Sequence, residues 1–344
     1  MRARAPALPV EPSLQVRTAS VPQLYPALTF FGAWYLLGGL RSFFSIRSFQ
    51  LTTQIEGDPR MKKWIALSVA ILSLAVGITL TLHKVKASPA PKPKPDLIVD
   101  QKRLLQNWVV RVEDLPANFC SVQEGGVTPG ERKLLRFTVS TPNIGTADVN
   151  LGDPNEHIAA GDGLYEFATC HRHFHFRHYT LYELIDPNTG FVWRAAKRGF
   201  CMIDVEKYQA FPGPANNDRN YLSCGAPATA TSPAIPGNQG ISLGWADTYV
   251  WQLGGQYFVL DTGDGQPEVP PGTYIIRITV NPPFTLIAGE ACPAKDSNGF
   301  CHQLAELDYG NNVSEIQIDI PDHPGKQGVG PLKNQPQIAA EPID

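Results

Sequence analysis

The sequence predicts an all-β fold, an antiparallel β-sandwich with long loops, and two observations favour this class. The 344 residues include 31 prolines and 30 glycines, which interrupt helices and close turns. Between these turn residues, apolar and β-branched runs recur, as in FTVS, YTLYELI and TYIIRITV. Short strands of this kind bury their apolar sides when two antiparallel sheets pack face to face.

The formal net charge of -3 gives no electrostatic reason to expect a nucleic-acid partner.

An apolar segment precedes the predicted domain and has the layout of an export signal. Residues 61–87 begin with Met and two lysines, continue as an apolar run and end in small residues. We expect a secretory signal peptide or, if it is not cleaved, a helical membrane anchor through residues 64–82. Export signals normally begin a protein, so residues 1–60 are expected to be a mistranslated or disordered extension. Either outcome predicts a secreted, cell-surface or periplasmic protein.

A linker and a tail are expected to flank the folded domain. Residues 88–95 are rich in Pro and Lys, a composition typical of an extended, disordered linker. The folded domain is expected to span residues 96–322. Residues 323–344 have no apolar periodicity and are expected to form a disordered tail.

Strand-like runs follow one another through the predicted domain. In chain order they are residues 133–145, 178–196, 247–253, 257–265, 270–282 and 313–322. In the second run, Asp186 to Gly190 spell DPNTG, which predicts a hairpin loop between YTLYELI and FVWRAA. The imperfect alternation of TYIIRITV is typical of a strand that is covered on one face.

The cysteines are consistent with an exported protein. Their number, six, is even, and all of them follow the apolar segment: Cys120, Cys170, Cys201, Cys224, Cys292 and Cys301. In an oxidising compartment such a set indicates three disulfides. No Cys-x-x-Cys pair is present in the sequence, so we do not expect a thiolate zinc site.

Four of the eight histidines lie in one short segment, TCHRHFHFRHY. His171, His173 and His175 alternate, so on a strand they would project from one face. Three imidazole nitrogens suit copper, zinc, iron or nickel, with positions left open for water or substrate. On a straight strand the outer two Cα atoms would be roughly 13 Å apart, a separation that makes it difficult for both imidazole rings to reach one ion. We therefore predict that the strand bends here.

The other histidines have ordinary interpretations. His178 has the opposite parity to the trio and is expected to be solvated or at the edge of the core. The remaining three are expected in loops or near the terminus: His157, His302 and His323.

The histidine segment and the segments on both sides of it resemble a known family. The segment CHRHFHF resembles the copper-binding segment of the lysyl oxidase family, and LLRFTVSTPNIGTADV upstream is similar to a strand and turn of that family. Downstream, YELID, KRGFC, QGISLGWADTY, PPGTYIIRITVNP and DYGNNV match further family segments in the same order. The resemblance covers roughly residues 96–320.

The resemblance implies copper bound by His171, His173 and His175, and a lysine tyrosylquinone cofactor formed from Lys197 and Tyr249. Copper and dioxygen would oxidise the tyrosine ring, and the lysine amine would add to it. The quinone carbonyl would then accept a primary amine, from peptidyl lysine or a small molecule. The products would be an aldehyde, ammonia and hydrogen peroxide.

A base is needed to remove a proton from the bound amine, and Asp247 is the candidate. It lies two positions before Tyr249 and on a strand would share its face. A turn or sheet-edge hydrogen bond is the ordinary alternative for this aspartate. Without the family pattern, Lys197 would be interpreted as a solvated strand residue and Tyr249 as a half-buried aromatic.

The resemblance also implies a disulfide pairing, and it has limits. The implied pairs are Cys120–Cys170 and Cys201–Cys224, which leaves Cys292 for Cys301. Trp245 stands where animal members carry a cysteine, Leu181 stands where they carry a histidine, and residues 283–307 form an insertion. Where animal members carry large N-terminal regions, we expect only a linker before the domain of this chain. We therefore expect a microbial-type member and do not transfer collagen or elastin crosslinking.

Two other function classes stay open at this point. A non-catalytic exported β-sandwich could use the histidines to sequester metal, but it would have no need of a bond between Lys197 and Tyr249. A zinc hydrolase would need a glutamate base, for which Glu166 or Glu183 could serve without motif support. Residues 261–268 could bind calcium or form a solvated turn.

Overall fold

The structure is a computed structural model that describes residues 92–286 and 291–326. The predictions for residues 1–60 and 61–87 therefore lie outside the described residues, as does most of the predicted tail. Among the described residues, none of the helices is long and apolar enough to cross a membrane.

Strands make up most of the regular secondary structure of the described residues, which confirms the all-β class. The strands are β1 Trp108–Leu115, β2 Gly130–Phe137, β3 Val139–Pro142, β4 Val149–Gly152, β5 Tyr165–Ala168, β6 His173–Phe176, β7 Thr180–Ile185, β8 Val192–Arg194, β9 Glu206–Lys207, β10 Gln239–Ile241, β11 Trp245–Tyr249, β12 Tyr257–Val259, β13 Gly272–Val280, β14 Ala294–Lys295, β15 Cys301–His302 and β16 Val313–Ile320. The helices are short: α1 Gln101–Gln106, α2 Cys120–Gln123 and α3 Pro154–Ala160.

The strands form several short antiparallel sheets, whereas the sequence predicts two larger ones. The strand orders are β1-β2-β12, β3-β11-β9 and β16-β13-β7-β8, with the pairs β4-β10, β5-β6 and β14-β15. The run 133–145 shows why the sheets are small. It changes partner at Thr138, whose N–H donates to Asn107 O (2.8 Å) and whose hydroxyl accepts from Trp251 N–H (3.0 Å). The same run therefore pairs with β1 before this residue and with β11 after it.

One hydrophobic core joins the sheets that surround the histidine segment. Phe137 of β2 meets Tyr182 of β7 edge to face, with ring centres 5.2 Å apart, and stacks on Phe258 of β12 at 4.9 Å. Phe200 packs edge to face against Tyr182 and Tyr249, at 5.3 and 5.2 Å. This aromatic cluster gives β11 and the segment before Cys201 a common rigid support.

The hairpin predicted from DPNTG is confirmed. β7 and β8 pair antiparallel, with Ile185 opposite Val192. In the loop, the Asp186 carboxylate accepts hydrogen bonds from Asn188 N–H (2.8 Å) and the Thr189 hydroxyl (2.7 Å). These bonds close the turn without help from other segments.

The folded domain reaches beyond its predicted limits at both ends. Lys94, in the predicted linker, donates from its N–H to the Thr146 hydroxyl (3.1 Å) and accepts from the Thr146 N–H (2.8 Å). Gly325, in the predicted tail, exchanges two backbone hydrogen bonds with Val110, at 2.8 and 2.9 Å. β1 lies at the edge of its sheet, so this contact covers an otherwise open strand edge. Composition alone does not reveal such backbone bonds.

The three disulfides pair as the resemblance implies. They join Cys120 to Cys170, Cys201 to Cys224 and Cys292 to Cys301, with Cα–Cα distances of 5.4, 5.5 and 5.5 Å. The first bridge ties α2 to the residue that directly precedes the histidine trio. The second fixes the segment just after Lys197. Both bridges constrain the parts of the chain that carry the predicted site.

Two of the outlying histidines differ from expectation. His157 lies in helix α3, where its ring contacts Leu151 O (2.7 Å) and the Asp162 carboxylate (2.6 Å). His302 lies in β15 and is buried, with Nδ1 2.8 Å from Asn281 O. Both rings find local acceptors, which explains why they are not solvated loop residues. His178 is exposed and stacks on Phe284, as a solvated or core-edge residue would.

Candidate active site

The backbone bends within the histidine segment, as predicted. β6 begins only at His173, and Arg172 before it has a φ of 61°, in the left-handed region that non-glycine residues seldom adopt. The Arg172 N–H donates to Ala168 O (2.7 Å), which closes a tight turn between β5 and β6. The turn brings His171 back towards His173 and His175. A straight strand would have carried it away from them.

The three imidazoles face one another. Their ring centres lie 5.6 Å apart for His171 and His173, 5.2 Å for His171 and His175, and 5.0 Å for His173 and His175. Rings that share one ion at a metal–nitrogen distance of about 2 Å have centres roughly 5 Å apart. The side chain of His171 is 8% exposed, and its Nε2 is buried without a hydrogen-bond partner among the described residues.

This donor set fits copper in its chemistry. Three buried nitrogen donors suit a borderline ion and leave further positions for water or substrate. Within the described residues, no group of three or more His, Cys, Asp or Glu side chains already has its donor atoms placed to hold an ion. The ring centres are near each other, but the rings would have to reorient to complete a metal site.

Glu124 is a site residue that the sequence did not reveal. It directly follows α2, and its carboxylate contacts Nδ1 of His171 and accepts a hydrogen bond from the Cys170 N–H. The contact depends on the Cys120–Cys170 bridge, which brings α2 beside the histidine turn. No periodicity or motif links positions this far apart, so only the disulfide pairing offered a signal.

Lys197 and Tyr249 lie side by side in the structure. The Lys197 ammonium nitrogen is 4.7 Å from the centre of the Tyr249 ring and 5.3 Å from the centre of the Phe200 ring. The Tyr249 hydroxyl donates to Cys201 O (2.6 Å), and both Lys197 and Tyr249 are buried. The Lys197 N–H donates to Gly255 O (2.9 Å), which fixes the backbone at this point. The ordinary interpretations, a solvated lysine and a half-buried tyrosine, do not describe these two residues.

Asp247 lies on β11 with Tyr249, and it is also buried. It pairs with Thr141 of β3, and its carboxylate interacts with the hydroxyl of Tyr179. Burial, together with the negative charge of Asp247, raises the pKa of Tyr179 well above its ordinary value. Two residues apart on a strand, Asp247 and Tyr249 share a face, as predicted.

A cavity of about 330 Å³ opens beside the trio. Its lining includes His171, His175, Lys197, Glu124 and Glu166. Tyr249 and Asp247 are not among the lining residues, whereas Lys197 lines the cavity and its nitrogen lies over the Tyr249 ring. A molecule in the cavity would reach the imidazoles and the lysine first.

Two carboxylates were candidates for a hydrolytic base, and the structure separates them. Glu166 of β5 lies opposite His175 of β6 and lines the cavity. Glu183 forms an ion pair with Arg194 (2.7 Å) and does not line the cavity.

Residues 261–268, which could have bound calcium, form a hydrogen-bonded turn, in which the Asp261 carboxylate accepts from Gly263 N–H (2.7 Å). The turn interpretation of that segment is therefore sufficient.

The comparison with known families agrees with this geometry. Residues 115–292 match the family model described as lysyl oxidase. The chain belongs to the lysyl oxidase family. The match includes the histidine trio, Lys197, Asp247 and Tyr249.

The chain is also similar to curated members of this family. It is 27% identical over 197 residues to lysyl oxidase homolog 2 of Homo sapiens, covering 57% of this chain and 19% of that protein. It is 27% identical over 240 residues to lysyl oxidase homolog 3A of Danio rerio, covering 66% and 26%. It is 24% identical over 238 residues to lysyl oxidase homolog 4 of Homo sapiens, covering 66% and 25%. The chain thus spans about a quarter or less of the length of these relatives.

Proposed function

We propose that this chain is an exported copper-dependent amine oxidase. It converts primary amines, either peptidyl lysine or small amines, to aldehydes and releases hydrogen peroxide and ammonia. The observation that carries the proposal is the 4.7 Å distance between the Lys197 nitrogen and the centre of the Tyr249 ring. A covalent bond between this amine and this ring requires such proximity, and a protein that only binds metal does not.

His171, His173 and His175 would hold the copper ion. Bound copper would supply the redox chemistry by which dioxygen turns the Tyr249 ring into a quinone. Lys197 is placed to add its amine to that ring, and the resulting group would accept electrons from the substrate. Burial of the trio keeps competing water away from the ligand nitrogens.

The remaining residues hold the two precursors in place. The Cys201 carbonyl accepts the Tyr249 hydroxyl proton in a hydrogen bond, so it fixes where the ring oxygen lies. Phe200 packs edge to face on the ring, and the Lys197 nitrogen lies over both aromatic rings. The ring is thus restrained by a hydrogen bond and by packing while the lysine is presented to it.

Asp247 would take the proton from the carbon next to the substrate nitrogen. We expect Asp247→Asn to lower kcat by roughly 10²- to 10⁴-fold, because the amide keeps the size of the side chain but cannot accept that proton. Steady-state kinetics, together with the amount of Lys197–Tyr249 crosslink, measures this. The crosslink is expected to form normally. An unchanged kcat, or a loss of activity explained by missing crosslink, would contradict the role of base.

The function itself is tested with copper-loaded and zinc-loaded samples of the same protein. Each sample is given a lysine-containing peptide and a series of small primary amines, and hydrogen peroxide and oxygen consumption are followed. We expect peroxide only from the copper-loaded sample and only with primary amines, tertiary amines serving as the control. Copper-loaded protein that consumes no oxygen with any of these amines would overturn the proposal.

The second candidate is a non-catalytic exported β-sandwich that sequesters metal. The three imidazoles favour it as much as they favour the oxidase. The metal-sequestering candidate predicts that Lys197→Met leaves metal binding unchanged. The oxidase candidate predicts that the same replacement abolishes all turnover. Secretion or cell-surface location belongs to both candidates, with residues 64–82 as the anchor if the segment is retained.

A further inference from the structure

We propose that Glu124 is a positioning residue of the metal site, one that fixes which nitrogen of His171 faces the ion. This inference rests on the proposed function only in that the trio binds copper. The carboxylate contacts Nδ1 of His171 with one oxygen and accepts from the Cys170 N–H with the other. Both oxygens are thus engaged at the turn that brings His171 into the trio.

The contact between Glu124 and His171 determines which nitrogen of the imidazole carries the proton. A neutral imidazole carries a proton on one nitrogen and a lone pair on the other. A carboxylate can only accept, so Glu124 selects the form of His171 that is protonated at Nδ1. The lone pair is then on Nε2, the atom that is buried without a hydrogen-bond partner among the described residues. An ion bound at Nε2 would satisfy that atom, and carboxylates commonly support ligand histidines in this way.

The fold supplies Glu124 from a different part of the chain. Glu124 follows α2, and the Cys120–Cys170 disulfide joins α2 to the residue before His171. The side chain of Glu124 is 27% exposed and that of His171 is 8% exposed, so the contact lies at the inner wall of the cavity. The bridge therefore holds the turn through the Cys170 side chain, and the carboxylate holds it through the Cys170 N–H and the His171 ring.

Glu166 provides a matched control. It lines the same cavity and faces His175 across the β5–β6 pair, but among the described residues its carboxylate has no hydrogen bond or ion pair with a histidine side chain. Replacing Glu166 removes the same charge from the same cavity. An effect of Glu124 that exceeds that of Glu166 therefore comes from the contact with His171, and cavity charge alone does not explain it.

The first test uses metal-free protein and nitrogen NMR of the histidine rings. We expect His171 to be protonated at Nδ1 in the wild type and to become a mixture of both neutral forms in Glu124→Ala. His171 protonated at Nε2 in the wild type would overturn the proposal. This result is independent of whether the protein oxidises amines.

The second test measures Cu(II) affinity by competition with a chelator. Glu124→Ala is expected to weaken binding by roughly 10- to 100-fold, the usual cost of losing such a support. Glu124→Gln is expected to be intermediate, because its amide accepts one of the two hydrogen bonds and cannot accept the other. Glu166→Gln is expected to stay close to wild type. Equal losses in Glu124→Ala and Glu166→Gln would overturn the proposal.

The two tests also separate folding from positioning. If Glu124→Ala does not fold, the wild-type NMR result and the Glu124→Gln affinity still decide. If both support the proposal but the copper-loaded protein oxidises no amine, the role of Glu124 stands and the oxidase assignment fails.

Discussion

Replacing Tyr249 with phenylalanine is expected to abolish amine oxidation and leave the fold and copper binding intact. Without the phenol oxygen the ring has no route to a quinone, so no substrate amine is captured and no peroxide forms. The change keeps the ring that packs against Phe200. It removes the hydrogen bond from the Tyr249 hydroxyl to Cys201 O, and the loss of such a bond costs about 1 kcal/mol of unfolding free energy.

The measurement compares peroxide production, copper content and thermal unfolding in the variant and in the wild type. Tyr165→Phe is the matched control, because Tyr165 is another buried tyrosine, and its ring packs against His157 and Phe176. We expect full activity in the control. Peroxide production by Tyr249→Phe at a rate near wild type would show that this ring is not the electron acceptor.

Replacing Gly199 with alanine is expected to remove copper binding and, with it, all activity. A Cβ atom at Gly199 would lie 1.9 Å from Nδ1 of His175, a distance that real Cβ atoms do not reach. His175 is buried, and its neighbour Phe176 is tied to Phe200 O by a hydrogen bond of 2.7 Å. The backbone therefore has little room to adjust, and the ring must leave its place beside His171 and His173.

Gly199→Ala is expected to weaken copper binding by at least roughly 10- to 100-fold, which is the usual cost of losing a residue that supports a metal ligand. Overpacking should also lower the unfolding free energy by about 1–3 kcal/mol. Gly213→Ala is the control, since its Cβ would meet only the Phe211 ring, at 3.2 Å. Wild-type copper affinity in Gly199→Ala would mean that His175 is not a ligand in the arrangement seen here.

Local sequence patterns predicted the histidine bend and singled out the residues proposed for the site. The alternation of His171, His173 and His175, set against the length of a straight strand, required a bend, and the left-handed Arg172 provides it. The order of the family motifs singled out Lys197 and Tyr249, which composition would have treated as ordinary residues. Each of these predictions could be made because it depends on spacing within a short segment or on a specific motif.

Features that depend on contacts between distant segments could not be predicted. Glu124 lies beside His171 because a disulfide joins their two segments. Nothing near Glu124 in the sequence indicates that it contacts a histidine of the site. The division of the run 133–145 at Thr138 depends on Asn107 and Trp251, which supply the competing hydrogen bonds. Strand propensity describes how well a segment fits a sheet, but the choice of partner is decided by tertiary contacts.

The central claim is that Lys197 and Tyr249 become one cofactor in the presence of copper and dioxygen. Mass spectrometry of digested protein tests it most directly, on one sample loaded with copper in air and one kept metal-free. We predict a crosslinked peptide pair containing both residues, with an oxidised tyrosine ring, in the copper sample alone. Copper-loaded, folded, air-exposed protein in which Tyr249 remains an unmodified phenol and Lys197 a free amine would contradict the account.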